Sequence, residues 1–157
     1  NLCKLDKETV ILYVPFEQLF EAMLLFVTKA GYVKLVSGAE FETNRSQISA
    51  TKLEENDEII SIKLISAAEK LSGNLKVIML TEKGYSLGFS LDEVSELKKT
   101  SRGVKGITLD KNDLVSFATV IDQNAETFQY NDKLLNAKKM GMRKRADKGR
   151  KVQLELS

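Results

Sequence analysis

The chain has 157 residues, 43% of them hydrophobic, and a formal charge of +2 with no histidine and one cysteine. That length and apolar content describe one folded domain with a buried core and exclude a disordered chain. With no histidine, zinc and general-base chemistry lose their commonest residue; the lone Cys3 excludes an internal disulfide, and no apolar run approaches a membrane span.

In chain order, Cys3-Lys-Leu5 and Thr9-Val-Ile-Leu-Tyr-Val14 read as strands, the second closed by Pro15. Strands are expected at 23 to 28 and 32 to 36, joined by a tight turn at Lys29-Ala30-Gly31 whose glycine supplies a positive φ. Ser37-x-x-Glu40 has capping-box spacing, and so does Ser90-x-x-Glu93, so a short helical turn is expected after each hairpin. Further strands are expected at 48 to 53, 58 to 65, 75 to 81, 85 to 89, 104 to 109 and 113 to 121. Turns are expected at Asn56-Asp57, Asn112-Asp113 and Asn131-Asp132. Phe128-Gln-Tyr130, Leu134-Leu135 and Val152-Gln-Leu-Glu-Leu156 complete the set.

These elements repeat. Thr28, Gly31, Tyr32, Ser37 and Glu40 match Thr81, Gly84, Tyr85, Ser90 and Glu93 at one offset of 53, and the later strands recur at 55 or 56. A period of this size implies propeller blades or a similar array in which each unit buries its apolar face against its neighbours. The units are expected at about 1–22 (partial), 23–65, 75–121 and 126–157, all within one domain spanning 1–157. The opening half-unit, and a first residue that is Asn rather than Met, suggest an array entered midway and a longer parent protein. With no leader or span evident, the expected compartment is the cytoplasm. Cys3 is read as an inert core or edge residue.

The small net charge hides an asymmetry. From Lys133 to Lys151 there are nine basic residues against Asp147 alone, so this stretch carries +8 and the remainder −6. A basic block of that density reads as a polyanion-binding surface. Arg102 and Lys105 flank Gly103 in a loop before a strand, Lys148, Arg150 and Lys151 flank Gly149 in the matching loop, and Arg45 sits in the corresponding loop of the first unit. Small residues there let a phosphate approach the backbone while the cations neutralise it. A solvated polar loop is the plainer alternative.

Leu25-Phe-Val-Thr-Lys-Ala-Gly-Tyr-Val-Lys34, Ser101-Arg-Gly-Val-Lys-Gly-Ile107 with Leu109, and Leu114-Val-Ser-Phe-Ala118 resemble the carboxy-terminal domain of the A subunit of bacterial type IIA topoisomerases, DNA gyrase and topoisomerase IV. The resemblance implies an all-β fold: a β-pinwheel of four-stranded antiparallel blades with strand exchange between neighbours, here a partial or open disc. It also implies a non-catalytic module that binds and bends duplex DNA on a basic rim, within a parent that is an ATP-dependent DNA topoisomerase. The implied partners are duplex DNA, the remainder of the A subunit, plus the ATPase B subunit, in the bacterial cytoplasm with the nucleoid. No cofactor, metal or membrane is implied. The gyrase signature of a glutamine, two arginines and a glycine-rich tail is not found, so either its blade lies outside this chain or the parent is of the topoisomerase IV type.

The candidate DNA-binding residues are Arg45, Arg102, Lys105, Lys138, Lys139, Arg143, Lys144, Arg145, Lys148, Arg150 and Lys151. Tyr32 and Tyr85 are read as buried against the next blade rather than stacked on bases, and neither is a candidate nucleophile. Glu54, Glu55, Asp57 and Glu58 are read as a solvated turn. The alternative function is a propeller-type protein-interaction scaffold with no nucleic-acid role, which offers no reason for so concentrated a basic block.

Overall fold

A computed structural model describes residues 2–5, 10–13, 22–41, 57–98 and 101–151. Arg45, Glu54, Glu55 and the strands expected at 48 to 53 and 152 to 156 lie outside these residues. Near the start, β1 (Leu2–Leu5) pairs antiparallel with β2 (Val10–Tyr13).

The first complete blade is built on a hairpin of β3 (Ala22–Thr28) and β4 (Tyr32–Ser37), with β5 (Ile59–Ser66) on the far side of β3. The second repeats it with β6 (Leu75–Thr81), β7 (Tyr85–Ser90) and β9 (Val115–Asp122). The fourth strand of each comes from further along the chain. β8 (Val104–Lys105) joins β4 in the first blade, and β12 (Arg150–Lys151) joins β7 in the second. Blades and sequence repeats are therefore offset by one strand. A third hairpin follows, β10 (Thr127–Tyr130) with β11 (Lys133–Asn136).

The recurrence of Thr, Gly and Tyr has a local cause. Thr28 and Thr81 are buried, and each Oγ1 accepts the amide of the tyrosine four residues on, Tyr32 or Tyr85, at 3.1 Å. Each carbonyl accepts the glycine amide, Gly31 at 3.0 Å and Gly84 at 3.1 Å. The glycines stand at φ +91° and +92°, where a side chain is strained.

The strand expected at 104 to 109 keeps its ladder only over β8. Beyond it the Gly106 and Ile107 amides both turn to the Gly31 carbonyl, at 2.7 and 3.3 Å, and leave the sheet. The two serine turns also differ from expectation. Residues 38–41 and 91–93 form 3-10 turns, in which Ser37 Oγ accepts from Ala39 N and Ser90 Oγ from Asp92 N, two residues ahead instead of three. The capping box lies elsewhere. Ser66 and Glu69 form it reciprocally at 3.1 Å, opening an unforeseen helix, α1 (Ala67–Ser72), which Gly73 closes at φ +68°.

The core is sandwiched between blades. Leu25, Val27, Val33 and Leu35 of the first blade pack with Val77, Met79, Leu87 and Phe89 of the second. The alternate residues of β6, Ile78 and Leu80, face the third hairpin through Phe128, Leu135, Ala137 and Met140. Because the middle of β6 is buried on both faces, Val77-Ile-Met-Leu80 is a continuous apolar run rather than an alternation. Each such fully buried side chain contributes about 1.5–3 kcal/mol relative to exposure.

Candidate nucleic-acid interface

Two crossovers carry the chain from one blade back to the sheet before it, and they match residue for residue. Leu97 N donates to Leu35 O at 2.8 Å; Arg143 N donates to Gly88 O, the equivalent carbonyl, at 2.7 Å. Ser101 Oγ accepts the Gly103 amide at 3.2 Å, and Asp147 Oδ1 accepts the Gly149 amide at 2.7 Å. Lys105 then pairs with Tyr32 in the sheet, and Lys151 with Tyr85. This alignment places cations at the same points of both crossovers: Lys98 with Lys144, Arg102 with Lys148, and Lys105 with Lys151.

Lys98 is absent from the candidates drawn from sequence. The signal was available in Leu97-Lys-Lys-Thr-Ser-Arg-Gly-Val-Lys105 against Arg143-Lys-Arg-Ala-Asp-Lys-Gly-Arg-Lys151, where basic residues recur at fixed distances before the shared glycine.

The glycines do different work from that expected. A Cβ on Gly103 would stand 2.6 Å from the Val33 carbonyl oxygen, and one on Gly149 would clash with the Ser86 carbonyl oxygen, the equivalent atom. Their smallness lets the crossover close onto the preceding blade. Their amides are already taken by Ser101 and Asp147, so neither amide is open to a phosphate.

The candidate cations divide by what they touch. Lys98, Lys105, Lys144 and Lys151 are exposed, and their ammonium groups have no hydrogen bond or ion pair among the described residues. Lys139 is exposed likewise, while Lys138 lies 4.0 Å from Glu126. Arg102 is exposed and engaged in contacts of its own. Arg143 lies 3.7 Å from Asp147, and Arg150 Nη2 donates to the Lys139 carbonyl at 2.5 Å. Arg145 is half-buried and committed to intramolecular bonds: Nε donates to the Glu93 carbonyl at 2.9 Å and Nη1 to the Lys105 carbonyl at 2.7 Å.

Lys148 is likewise engaged. Its ammonium stands 2.6 Å from Asp110 Oδ1 and 5.4 Å from the Tyr85 ring centroid, a cation–π arrangement. The hydrogen bond from Lys148 holds the Asp110 carboxyl below its ordinary range, with help from the Tyr85 hydroxyl, and the same bond raises Lys148. Tyr32 and Tyr85 are half-buried rather than enclosed.

Two buried lysines escaped the sequence reading. Lys34 Nζ donates to Ser101 O at 2.7 Å and lies over the Phe26 ring. Lys76 Nζ reaches Ala137 O at 3.4 Å, and burial lowers its pKa. Asp57 departs from the solvated turn expected of it. It is buried, and its Oδ1 accepts the Ala30 and Glu58 amides at 2.9 and 2.8 Å.

The family model of the DNA gyrase C-terminal domain, described as a β-propeller, matches residues 22–66 and 75–122. The chain belongs to this family. The A subunit of DNA gyrase from Helicobacter pylori (strain ATCC 700392 / 26695) is 38% identical over 125 residues, covering 79% of this chain and 14% of the relative. The A subunit of DNA topoisomerase 4 from Bacillus subtilis (strain 168) is 31% identical over 128 residues, covering 79% of this chain and 15% of that protein. The chain thus spans about one seventh of the curated relatives it matches. Among solved structures, a C-terminal domain of DNA topoisomerase IV superposes with TM-score 0.69 at 23% identity, covering 87% of this chain and 42% of that one. A DNA gyrase A C-terminal domain gives 0.65 at 24%, covering 83% and 43%. The family fold is thus a β-propeller in which these blades form an open disc. Among the described residues no helix is long and apolar enough to cross a membrane.

Proposed function

We propose that this chain is a non-catalytic module that binds duplex DNA along its crossover cations and bends it over successive blades, presenting it for strand passage by a type IIA topoisomerase. The observation that carries the reading is the pairing of Lys98 with Lys144 and Lys105 with Lys151. All four are exposed, and their ammonium groups are uncommitted among the described residues. Equivalent cations on successive blades offer phosphates a contact that repeats with the array, and such contacts position a duplex without reading its bases. Membership of the gyrase family supports the same reading. In it the protein partners are an ATPase B subunit together with the remainder of the A subunit, in the bacterial cytoplasm.

The test is fluorescence anisotropy with a labelled duplex of arbitrary sequence, titrated between 50 and 200 mM salt. With about six phosphate contacts the affinity falls roughly a thousandfold across that range. A nearly flat salt response overturns DNA binding by this surface.

A further inference from the structure

The segment from Arg143 to Gly149 leaves the third hairpin and fastens onto both other blades. The amide of Arg145 donates to Glu93 Oε1 at 2.9 Å and its Nε to the Glu93 carbonyl at 2.9 Å, gripping the turn after β7 in the second blade. Its Nη1 reaches the carbonyl of Lys105, the last residue of the strand that completes the first blade. Beside it, Ala146 N donates to Gly106 O at 2.9 Å, Thr108 Oγ1 donates to Ala146 O at 2.6 Å, and Thr108 N donates to Asp147 O at 3.1 Å.

Ala146 stands at φ +70°, a conformation an alanine adopts at a cost of about 1 kcal/mol or more per residue. Such a backbone persists only where its surroundings over-determine it. Here the three hydrogen bonds at Gly106 and Thr108 do so. The forked guanidinium suits Arg145 to this place, because its nitrogens diverge toward two carbonyls on different blades. A phosphate taking those donors would have to break both bonds.

We infer that Arg145 is a positioning residue: it sets the angle between blades, and through it the curvature given to DNA, without itself contacting a phosphate. The DNA half of this inference rests on the proposed function. Affinity and bend then belong to different residues. The exposed crossover lysines supply the first, and Arg145 with Thr108 supplies the second.

The experiment uses the whole chain, with Arg145→Ala, Arg145→Lys and Thr108→Val compared with the parent. The first measurement needs no DNA. In a Cys3→Ser background, spin labels at Glu58→Cys and Glu82→Cys, exposed residues beside the hairpin turns of the first and second blades, report the inter-blade distance. It is expected to broaden or shift in both Arg145 variants, since lysine cannot span two carbonyls, and to shift less in Thr108→Val, which keeps every charge and the Arg145 contacts. The second measurement is the end-to-end distance of a saturated duplex by fluorescence transfer, alongside the salt slope of binding. In the variants the DNA is expected to relax toward its free length while the slope stays that of the parent.

A slope lowered by about 0.9 in Arg145→Ala and restored in Arg145→Lys identifies a phosphate contact and overturns the inference. So does an unchanged label distance, or a changed one with unchanged DNA bending. A parent that binds DNA and leaves it straight overturns the wrapping reading and the DNA half of the inference together. The label distance then decides alone whether Arg145 holds the blades.

Discussion

Asp57 and Asp113 hold their hairpins in the same way. Asp113 Oδ1 accepts the Lys83 amide at 3.0 Å and the Leu114 amide at 2.8 Å, as Asp57 Oδ1 accepts those of Ala30 and Glu58. Each carboxylate arrives at the tip of the β3–β4 or β6–β7 turn from just before the outer strand, so it ties that strand to the turn it flanks. Charge-assisted bonds to backbone amides are about twice as strong as neutral ones.

Asp113→Ala leaves two amides without their acceptor and is expected to destabilise the chain by about 1–3 kcal/mol. Urea unfolding measures it, and Asp113→Asn should recover part of the loss through its remaining oxygen. Equal midpoints for parent and Asp113→Ala would show that the clip is ornamental.

Gly84→Val places a β-branched residue at φ +92° and is expected to loosen the second hairpin. The readout is thermal melting by far-ultraviolet dichroism. A melt identical to the parent's contradicts the turn geometry.

Lys76 is a buried ammonium whose pKa burial lowers from 10.5. A depressed lysine costs stability while it is charged in both states, and the cost is relieved as pH rises through the folded value toward 10.5. Lys76→Met keeps the volume without the charge and is expected to match or exceed the parent near pH 7, as replacement of buried charges by apolar residues often does. Its advantage should shrink as pH approaches about 10. An advantage that grows with pH would contradict the burial argument.

Asp110 behaves in the opposite sense. Lys148 lowers its pKa from 3.8, so the pair stabilises the fold above that value and loses its effect as pH falls through the lower folded value. The melting temperature of Asp110→Asn should lie below the parent's near pH 7 and converge with it as pH falls below 3.8 through the lowered folded value. A gap that persists under acid would assign the effect to packing.

Removing Lys98, Lys105, Lys144 and Lys151 together, each to Ala, is expected to lower the salt slope of DNA binding by up to about 3.6, at about 0.9 for each lost phosphate contact. Exposed lysines with no ion pair among the described residues contribute little to folding, so the melt should move little. A slope equal to the parent's would put the DNA path elsewhere.

The hairpins were legible because their chemistry is local. Thr28, Gly31 and Tyr32 recur as Thr81, Gly84 and Tyr85 because one hydroxyl, one positive φ and one amide must meet within five residues. The helix α1 was legible in principle, since Ser66 and Glu69 share the spacing of Ser37 with Glu40 and of Ser90 with Glu93. Spacing alone does not show that Glu93 is drawn away by the Arg145 amide, a partner 52 residues distant. The same distance hides Arg145 among the cations. Charge density marks it as a surface residue, whereas its donors point at carbonyls brought up by other blades. Gly103 and Gly149 mislead for a related reason, because a small residue beside a cation looks the same whether a phosphate or a strand approaches it.

The late arrival of β8 and β12 shapes how the chain matures during synthesis. The β3–β4 hairpin ends at Ser37, and the strand that seals β4 begins at Val104. At about 5–20 residues per second, a ribosome needs on the order of several seconds to make the intervening chain. Throughout that interval the outer edge of β4 stands open, and β7 then waits in turn for Arg150. An open strand edge is a template for pairing with another chain. Each blade of the nascent protein therefore depends on the emergence of its successor, and the newest blade is the one exposed to misassembly.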